Sequence, residues 1–322
     1  MIKQRMPDRF TIGIIISIAL GLLLPCRGSV AVGFDGVTHA AIILLFFLYG
    51  VKLSRRSVWE GVTHWRLQAM VIFFTFAFFP LCICACRPLL EPFVGAALYG
   101  GVLYIACLPS TVQSSIAFTS IAGGNVPAAV CSASISSLLG VFFTPLLVGL
   151  LFARESAGGA SVGLGAILTI SYQILLPFTL GQLTQRWLKP WVDKHRPLIS
   201  WNDQLTIWLV VYTSFSSATV QGYWRQLDIF HLGGLIFVCL ALLAIIQISI
   251  YGSCKLLRFD RADSITILFC GSKKSLAVGA PMMLAIFGGL DNNLLLPLMV
   301  FHQVQLMLCA QLAARWKKQS ES

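Results

Sequence analysis

The feature that most constrains this chain is a succession of long apolar runs separated by short polar punctuation. A hydrocarbon core roughly 30 Å thick takes about 20 apolar residues per helix. The sequence divides into ten runs of that kind, at 10–26, 37–53, 67–86, 94–122, 126–152, 163–185, 205–220, 231–254, 264–289 and 292–314. Hydrophobic residues make up 57% of the chain and charged ones 11%, with a mean hydropathy of +0.83. A soluble domain cannot hold that much apolar surface in water, so the expected class is an all-α, polytopic membrane protein. The longest stretch left over, 186–204, reads as a loop. It leaves no room for a soluble catalytic or nucleic-acid-binding domain, so the net charge of +11 has another origin.

The placement of the charge supplies it. If every run crosses, seventeen of the 23 Lys and Arg residues fall on the side of the N-terminus, among them Lys3, Arg5, Arg9, Lys52, Arg55, Arg56, Arg186, Lys255 and Lys317. Only four, Arg27, Arg87, Arg154 and Arg225, fall on the other side, and the last two are Lys273 and Lys274. Cytoplasmic loops carry the excess of Lys and Arg. The bias therefore predicts an even number of crossings, with both termini in the cytoplasm of a bacterial inner membrane. The basic start before the first run resembles a signal peptide but lacks a small-x-small cleavage site, and reads as an uncleaved first span. The ten cysteines lie mostly inside the runs. Cys82, Cys84 and Cys86 are too closely spaced for the usual zinc or redox patterns, so these thiols read as buried apolar groups.

Five crossings followed by five more start the second half on the opposite face of the membrane. That is the arrangement of two inverted repeats, residues 1–152 and 163–314, within a single transporter domain covering 1–322. The fourth run of each half is interrupted near its middle. The first reads Cys107-Leu108-Pro109-Ser110-Thr111-Val112-Gln113-Ser114-Ser115, then Gly123-Gly124-Asn125; the second reads Cys270-Gly271-Ser272-Lys273-Lys274-Ser275, then Pro281 and Gly288-Gly289. Backbone opened at membrane depth has to be satisfied by protein or cavity water, never by lipid. Paired broken helices are where transporters bind their substrates. The alternative is ordinary membrane-helix Pro and Gly, with Ser and Thr bonding back to their own helix.

All twelve acidic residues lie in loops, tails or run ends. The ionisable groups well inside a run are His302 and the pair Lys273 and Lys274. Each lysine costs about 2.5–3.5 kcal/mol at the membrane centre on insertion scales, which makes the pair a candidate functional site. Adjacent helical residues point about 100° apart, so both face one way only if the helix is open there. With no acid in reach, the partners are backbone carbonyls, hydroxyls of the fourth run, water or an anionic solute; the bland reading is a lysine neutralised by desolvation, or one hydrogen-bonded only to hold the crossing together. Ser132 and Ser136 share a face of the fifth run. His302, Gln303 and Gln305 lie in the tenth, and Gln247 and Ser249 in the eighth. Each of these alone is more often helix-packing glue than a ligand.

The quoted residues at the two interruptions, with Leu296-Pro297-Leu298, resemble the bile acid:sodium symporter superfamily over nearly the whole chain, residues 10–314. More closely, they resemble the bile-acid-symporter-like branch that includes solute carrier family 10 member 7. The resemblance implies two inverted five-helix repeats, a panel of the first, second, sixth and seventh helices, and a core of the other six whose fourth and ninth helices cross. In sodium-coupled members a Ser-Asn pair on the fourth helix, hydroxyls on the fifth, and a Glu and a Gln on the ninth hold two sodium ions. Carried over, the pair is Ser114 and Ser115, with Ser132 and Ser136 as the hydroxyls. The ninth helix departs from the pattern. Phe269 or Cys270 stands near the place of the Glu, and Lys273-Lys274 replace Gln-Asn. A hard cation prefers carboxylate oxygens, so this argues against the second sodium site and suggests a lysine charge in place of a bound cation.

The expectation is a secondary transporter of a small anionic organic solute, coupled to sodium or protons and working by alternating access. Its binding residues are Thr111, Gln113, Ser114, Ser115, Ser132, Ser136, Lys273, Lys274, Ser275, His302 and Gln303. Sodium is the one candidate ion and no other cofactor is expected; the partners are the solute and membrane lipid, not nucleic acid. The alternatives are an uncoupled carrier or channel, or a regulatory sensor. An enzyme is disfavoured, because no acid, metal cluster or Ser-His-Asp set shares a depth.

Overall fold

The computed structural model describes residues 9–52, 64–155, 164–222, 224, 228–287 and 292–321. Of the residues singled out above, Gly288 and Gly289, Asp8, Glu60 and Asp291, and the cations Lys3, Arg5, Arg55, Arg56 and Arg225 lie outside them. Among the described residues the chain is helical, with no strand. In order the helices are α1 (Arg9–Leu23), α2 (Gly28–Lys52), α3 (Trp65–Phe73), a π-helical turn (Phe74–Phe78), α4 (Phe79–Ala85), α5 (Arg87–Cys107), α6 (Gln113–Ile121) and α7 (Val126–Glu155). They are followed by α8 (Leu164–Lys194), α9 (Arg196–Val220), α10 (Ile229–Leu256), α11 (Arg261–Gly271), α12 (Leu276–Phe287) and α13 (Asn292–Glu321). Among the described residues, six continuous helical stretches are long and apolar enough to cross a membrane: Gly28–Lys52, Trp65–Ala85, Arg87–Cys107, Val126–Phe152, Phe230–Leu256 and Asn292–Lys317.

One expectation is corrected. Residues 186–204 are not a loop, because α8 continues to Lys194 and α9 starts at Arg196. An apolar run ends where the hydrocarbon ends, but the helical ladder does not need to. Here it continues on a face that exposes Trp187, Trp191 and Trp201, the amphipathic rings favoured at a membrane surface.

The chain forms two compact units. One comprises 1–52, 173–227 and 280–292, the other 53–172, 228–279 and 293–322. In the first, α9 packs along both α1 and α2. α2 and α8 approach until a Cβ on Gly50 or Gly181 would overlap the carbonyls of Phe178 or Phe47, the small-residue contact that membrane helices use. Lys52 Nζ closes this unit on Asp203 Oδ2 at 2.6 Å.

In the second unit α11 is central, packing on α3, α6, α7 and α10. Its start is fixed by Asp260, whose carboxylate accepts from Asp263 N at 2.7 Å. Asp228 caps α10 in the same way, accepting from Phe230 N at 3.0 Å. Such caps satisfy amide donors that the first helical turn leaves open. After α6 the chain turns at Gly123, whose φ of 76° suits glycine. Asn125 then donates its amide to Asp263 Oδ1 at 2.8 Å, tying the start of α7 to the start of α11.

Candidate functional site

Proline opens the first interrupted helix. A residue before proline is pushed out of the α region, and Leu108 is extended, with φ −82° and ψ 151°. The helix cannot pass Pro109, so the last carbonyls of α5 lose their ladder partners. Three of the carbonyls around the break are met from elsewhere in the same unit. Cys107 O accepts from Thr144 Oγ1 at 2.8 Å, and Ala106 O and Leu108 O each accept from Lys274 Nζ at 2.8 Å. Past the proline, Ser110 N donates to Ser136 Oγ at 3.0 Å. α7 comes this close because residue 140 is glycine; a Cβ there would lie 2.6 Å from the Pro109 ring.

The second opening follows Gly271, where α11 stops. The Gln305 amide on α13 holds the opened strand on both sides of Lys274. It accepts from Lys274 N at 2.8 Å and donates to Lys274 O at 2.7 Å. Its second N–H faces His302 Nδ1 at 2.9 Å, which assigns that ring nitrogen as the acceptor. Ser275 ends the opening by capping α12, its Oγ accepting from Val278 N at 3.3 Å. The two openings meet directly. Ser275 N donates to Pro109 O at 2.9 Å, and Ser115 Oγ donates to Phe269 O at 3.0 Å.

The two lysines diverge at this junction, and both are wholly buried. Lys274 Nζ donates to three carbonyls, Thr75 O at 2.6 Å and Ala106 O and Leu108 O at 2.8 Å. Three acceptors match the three N–H donors of an ammonium, whereas a neutral amine has only two. Lys273 Nζ has far less. Its hydrogen bond to Ser114 Oγ is 3.4 Å long, and the rings of Phe118 and Phe269 lie beside it at 4.3 Å and 5.5 Å. From Ser114 a chain of hydroxyls runs inward: Ser114 Oγ donates to Thr111 Oγ1 at 2.8 Å, and Thr111 Oγ1 lies 2.9 Å from Ser115 Oγ, which donates to Phe269 O. Among the described residues neither lysine pairs with a carboxylate.

The residues picked out from sequence thus fall into two groups. Thr111, Ser114, Ser115, Ser136, Lys273, Lys274, Ser275 and, through Gln305, His302 form one hydrogen-bonded cluster. Gln113 is exposed at the start of α6, Gln303 is half-buried two residues before Gln305, and Ser132 Oγ is buried without a hydrogen-bond partner among the described residues. Two features carried no recognisable signal. One is the π-helical turn that offers the Thr75 carbonyl, in a run of aromatics. The other is Gln68 on α3, 5% exposed with neither amide atom partnered among the described residues. Gln68 lies one turn before Val71, which together with Phe74 and Ile250 meets Gly271.

Spanning helices, two of them opened at buried polar turns that bond to each other, define a multi-pass helical membrane protein of the transporter class. The chain belongs to the SBF-like CPA transporter family, whose model matches residues 8–318. It is 49% identical over 317 residues to an uncharacterised protein of Pseudomonas aeruginosa, covering 98% of this chain and 95% of that one. YfeH of Escherichia coli K12, named as a symporter, is 47% identical over 322 residues, with 98% and 95% coverage. Sodium/bile acid cotransporter 7 of Xenopus tropicalis is 28% identical over 317 residues, with 96% and 91% coverage. The chain is therefore a transporter and not an enzyme, in agreement with the resemblance carried by its two interruptions.

Proposed function

We propose that this protein is a secondary carrier of a small anionic organic solute, working by alternating access. The observation that carries the reading is Lys273: a wholly buried lysine at the junction of two opened helices, holding one long hydrogen bond and two phenyl faces. An ammonium at membrane depth costs about 2.5–3.5 kcal/mol on insertion scales and marks a functional site by default. An incoming carboxylate or similar anion supplies the short acceptors that Lys273 lacks, while Ser114 and Thr111 offer hydroxyls beside it.

The same reading takes the helices as ten crossings in two inverted repeats, with α3 through α4, α5 with α6, and α11 with α12 each counted as one crossing. Two observations support it. The interruptions fall in corresponding runs, and the compact unit of 1–52, 173–227 and 280–292 collects the first, second and seventh runs and the later part of the sixth, the set expected of a panel, together with the end of the ninth run, which the expectation assigns to the core. The excess of Lys and Arg on the N-terminal side supports cytoplasmic termini in a bacterial inner membrane.

The names of relatives raise sodium as the driving ion. The hydroxyls it would find on α6 and α7 are Ser114, Ser115, Ser132 and Ser136. Ser115 donates to Phe269 O, Ser136 accepts from Ser110 N, and Ser114 lies against the Lys273 ammonium. With no carboxylate among them, these residues form a poor seat for a hard cation, and the solute is taken as the primary occupant.

The test is a thermal-shift screen of organic anions on purified protein, followed by uptake into proteoliposomes under imposed sodium and proton gradients. Lys273→Gln should lose at least ten-fold in affinity for any stabilising anion and keep the melting temperature of the unliganded protein. Anion binding and uptake unchanged in Lys273→Gln would remove the reading.

A further inference from the structure

We propose that the Lys274 ammonium is a tethered cation that permanently fills a seat for a monovalent cation, so that this part of the crossing takes no sodium. The seat consists of three carbonyl oxygens, Thr75 O, Ala106 O and Leu108 O, all 2.6–2.8 Å from Nζ. Each is a carbonyl that regular helix geometry has released. Thr75 lies in the π-helical turn Phe74–Phe78, and Ala106 and Leu108 lie where α5 is ended by Pro109. Carbonyls turned out of their ladders at membrane depth are the usual ligands of small cations in transporters. Left empty, all three would be buried acceptors without donors.

The cation is fixed from every side. Phe79 covers it, with its ring centroid 4.5 Å from Nζ, and the Phe76 ring lies at 6.0 Å. The backbone on both sides of Lys274 is clamped by Gln305. No carboxylate pairs with the lysine among the described residues, so a second cation would meet an unneutralised positive charge in a medium that screens it poorly. The names of relatives imply sodium, but the chemistry of these donors does not admit it while the lysine is in place. The tethered cation rests on the carrier reading only for its consequence, a coupling that does not pass through this seat. The seat itself is tested without any solute.

The experiment deletes the tether and returns the cation. Lys274→Ala removes three carbons and the nitrogen, which n-propylammonium carries. Melting temperatures are measured for the wild-type protein and for Lys274→Ala in n-propylammonium chloride, sodium chloride and choline chloride at equal ionic strength. The expected result is a rise of about 2–4 °C for Lys274→Ala in n-propylammonium, at several times its dissociation constant, over choline. Wild type should show no such rise. Because the alanine variant risks poor folding, it is also purified with the amine present throughout. A second variant, Lys274→Gln, offers the seat two N–H groups in place of three and should melt well below wild type. The proposal is overturned if Lys274→Ala responds to the amine no more than wild type and gives no additional folded protein with it, or if Lys274→Gln is as stable as wild type. A failure of anion binding would leave both outcomes unchanged, so the two proposals fall separately.

Discussion

Gln305→Leu tests whether the second opening is held by one side chain. The Gln305 amide pairs with both backbone groups of Lys274, at 2.8 and 2.7 Å, and is wholly buried. Leucine is similar in volume but offers neither donor nor acceptor. The substitution strands a buried N–H and a buried C=O, each costing about 1–3 kcal/mol when nothing replaces the partner. It also removes the donor facing His302 Nδ1. The expected loss is about 2–5 kcal/mol, and at about 2–4 °C per kcal/mol for a chain of this order the melting temperature falls by at least about 4 °C. The assay is intrinsic fluorescence on heating in detergent, at one scan rate for all variants. Gln303→Leu is the control, since it lies on the same helix and is not hydrogen-bonded to either opening among the described residues; it should move the midpoint by less than about 2 °C. A Gln305→Leu protein that melts with the control would refute the reasoning, because the opened strand would then be held by packing alone.

Three other substitutions follow from the same geometry. Ser275→Ala removes the cap of α12 and should cost about 1 kcal/mol, read as a drop of about 2–4 °C in melting temperature. Gly140→Val places a Cβ 2.6 Å from the Pro109 ring and should sharply reduce monodisperse protein on size exclusion, whereas Gly100→Ala, whose nearest neighbour is 3.5 Å away, should be tolerated. Lys52→Met leaves the Asp203 carboxylate half-buried without its partner and should destabilise by about 1–3 kcal/mol. Adding Asp203→Leu should recover most of the loss in the same melting assay, since replacing both members of a pair by apolar groups costs less than removing one.

The apolar runs locate helices well because burial in hydrocarbon is decided residue by residue. They are silent on where a helix stops once it leaves the hydrocarbon, and so 186–204 read as a loop. The two openings are legible for a local reason: Pro109 and Gly271-Ser272 act on their own backbone. What fills the openings is less legible. Ser114, Ser115, Lys273 and Ser275 are chemically conspicuous, but the seat around Lys274 is made of main-chain carbonyls, which leave no trace in side-chain identity. The π-helical turn is only partly legible: Phe73-Phe74-Thr75-Phe76-Ala77-Phe78-Phe79 is apolar at nearly every position, and the one local signal is Pro80 just after it, which has no N–H to offer the ladder. Gln305 differs from Gln303 only in which face of α13 it occupies, and a run apolar on all sides has no period to say which face is inner.

The separation of the two lysines follows from backbone geometry. Both lie in the four-residue opening between α11 and α12, Ser272–Ser275, and outside a helix neighbouring side chains are free to take opposite directions. Lys274 takes the side of the released carbonyls and uses all its donors there. Lys273 takes the side of hydroxyls and phenyl rings, which attract a cation but bind it less firmly than three carbonyls. Of two equal charges in one turn, only one has its hydrogen-bonding capacity filled by the protein. Under the proposed carrier reading, an anion arriving at this junction gains little from Lys274, whose donors it would have to take from buried carbonyls, and gains most from Lys273. Exchanging their surroundings would undo the arrangement: with Lys273 saturated and Lys274 starved, the junction would lose both the proposed anion contact and the ammonium that fills its three carbonyls.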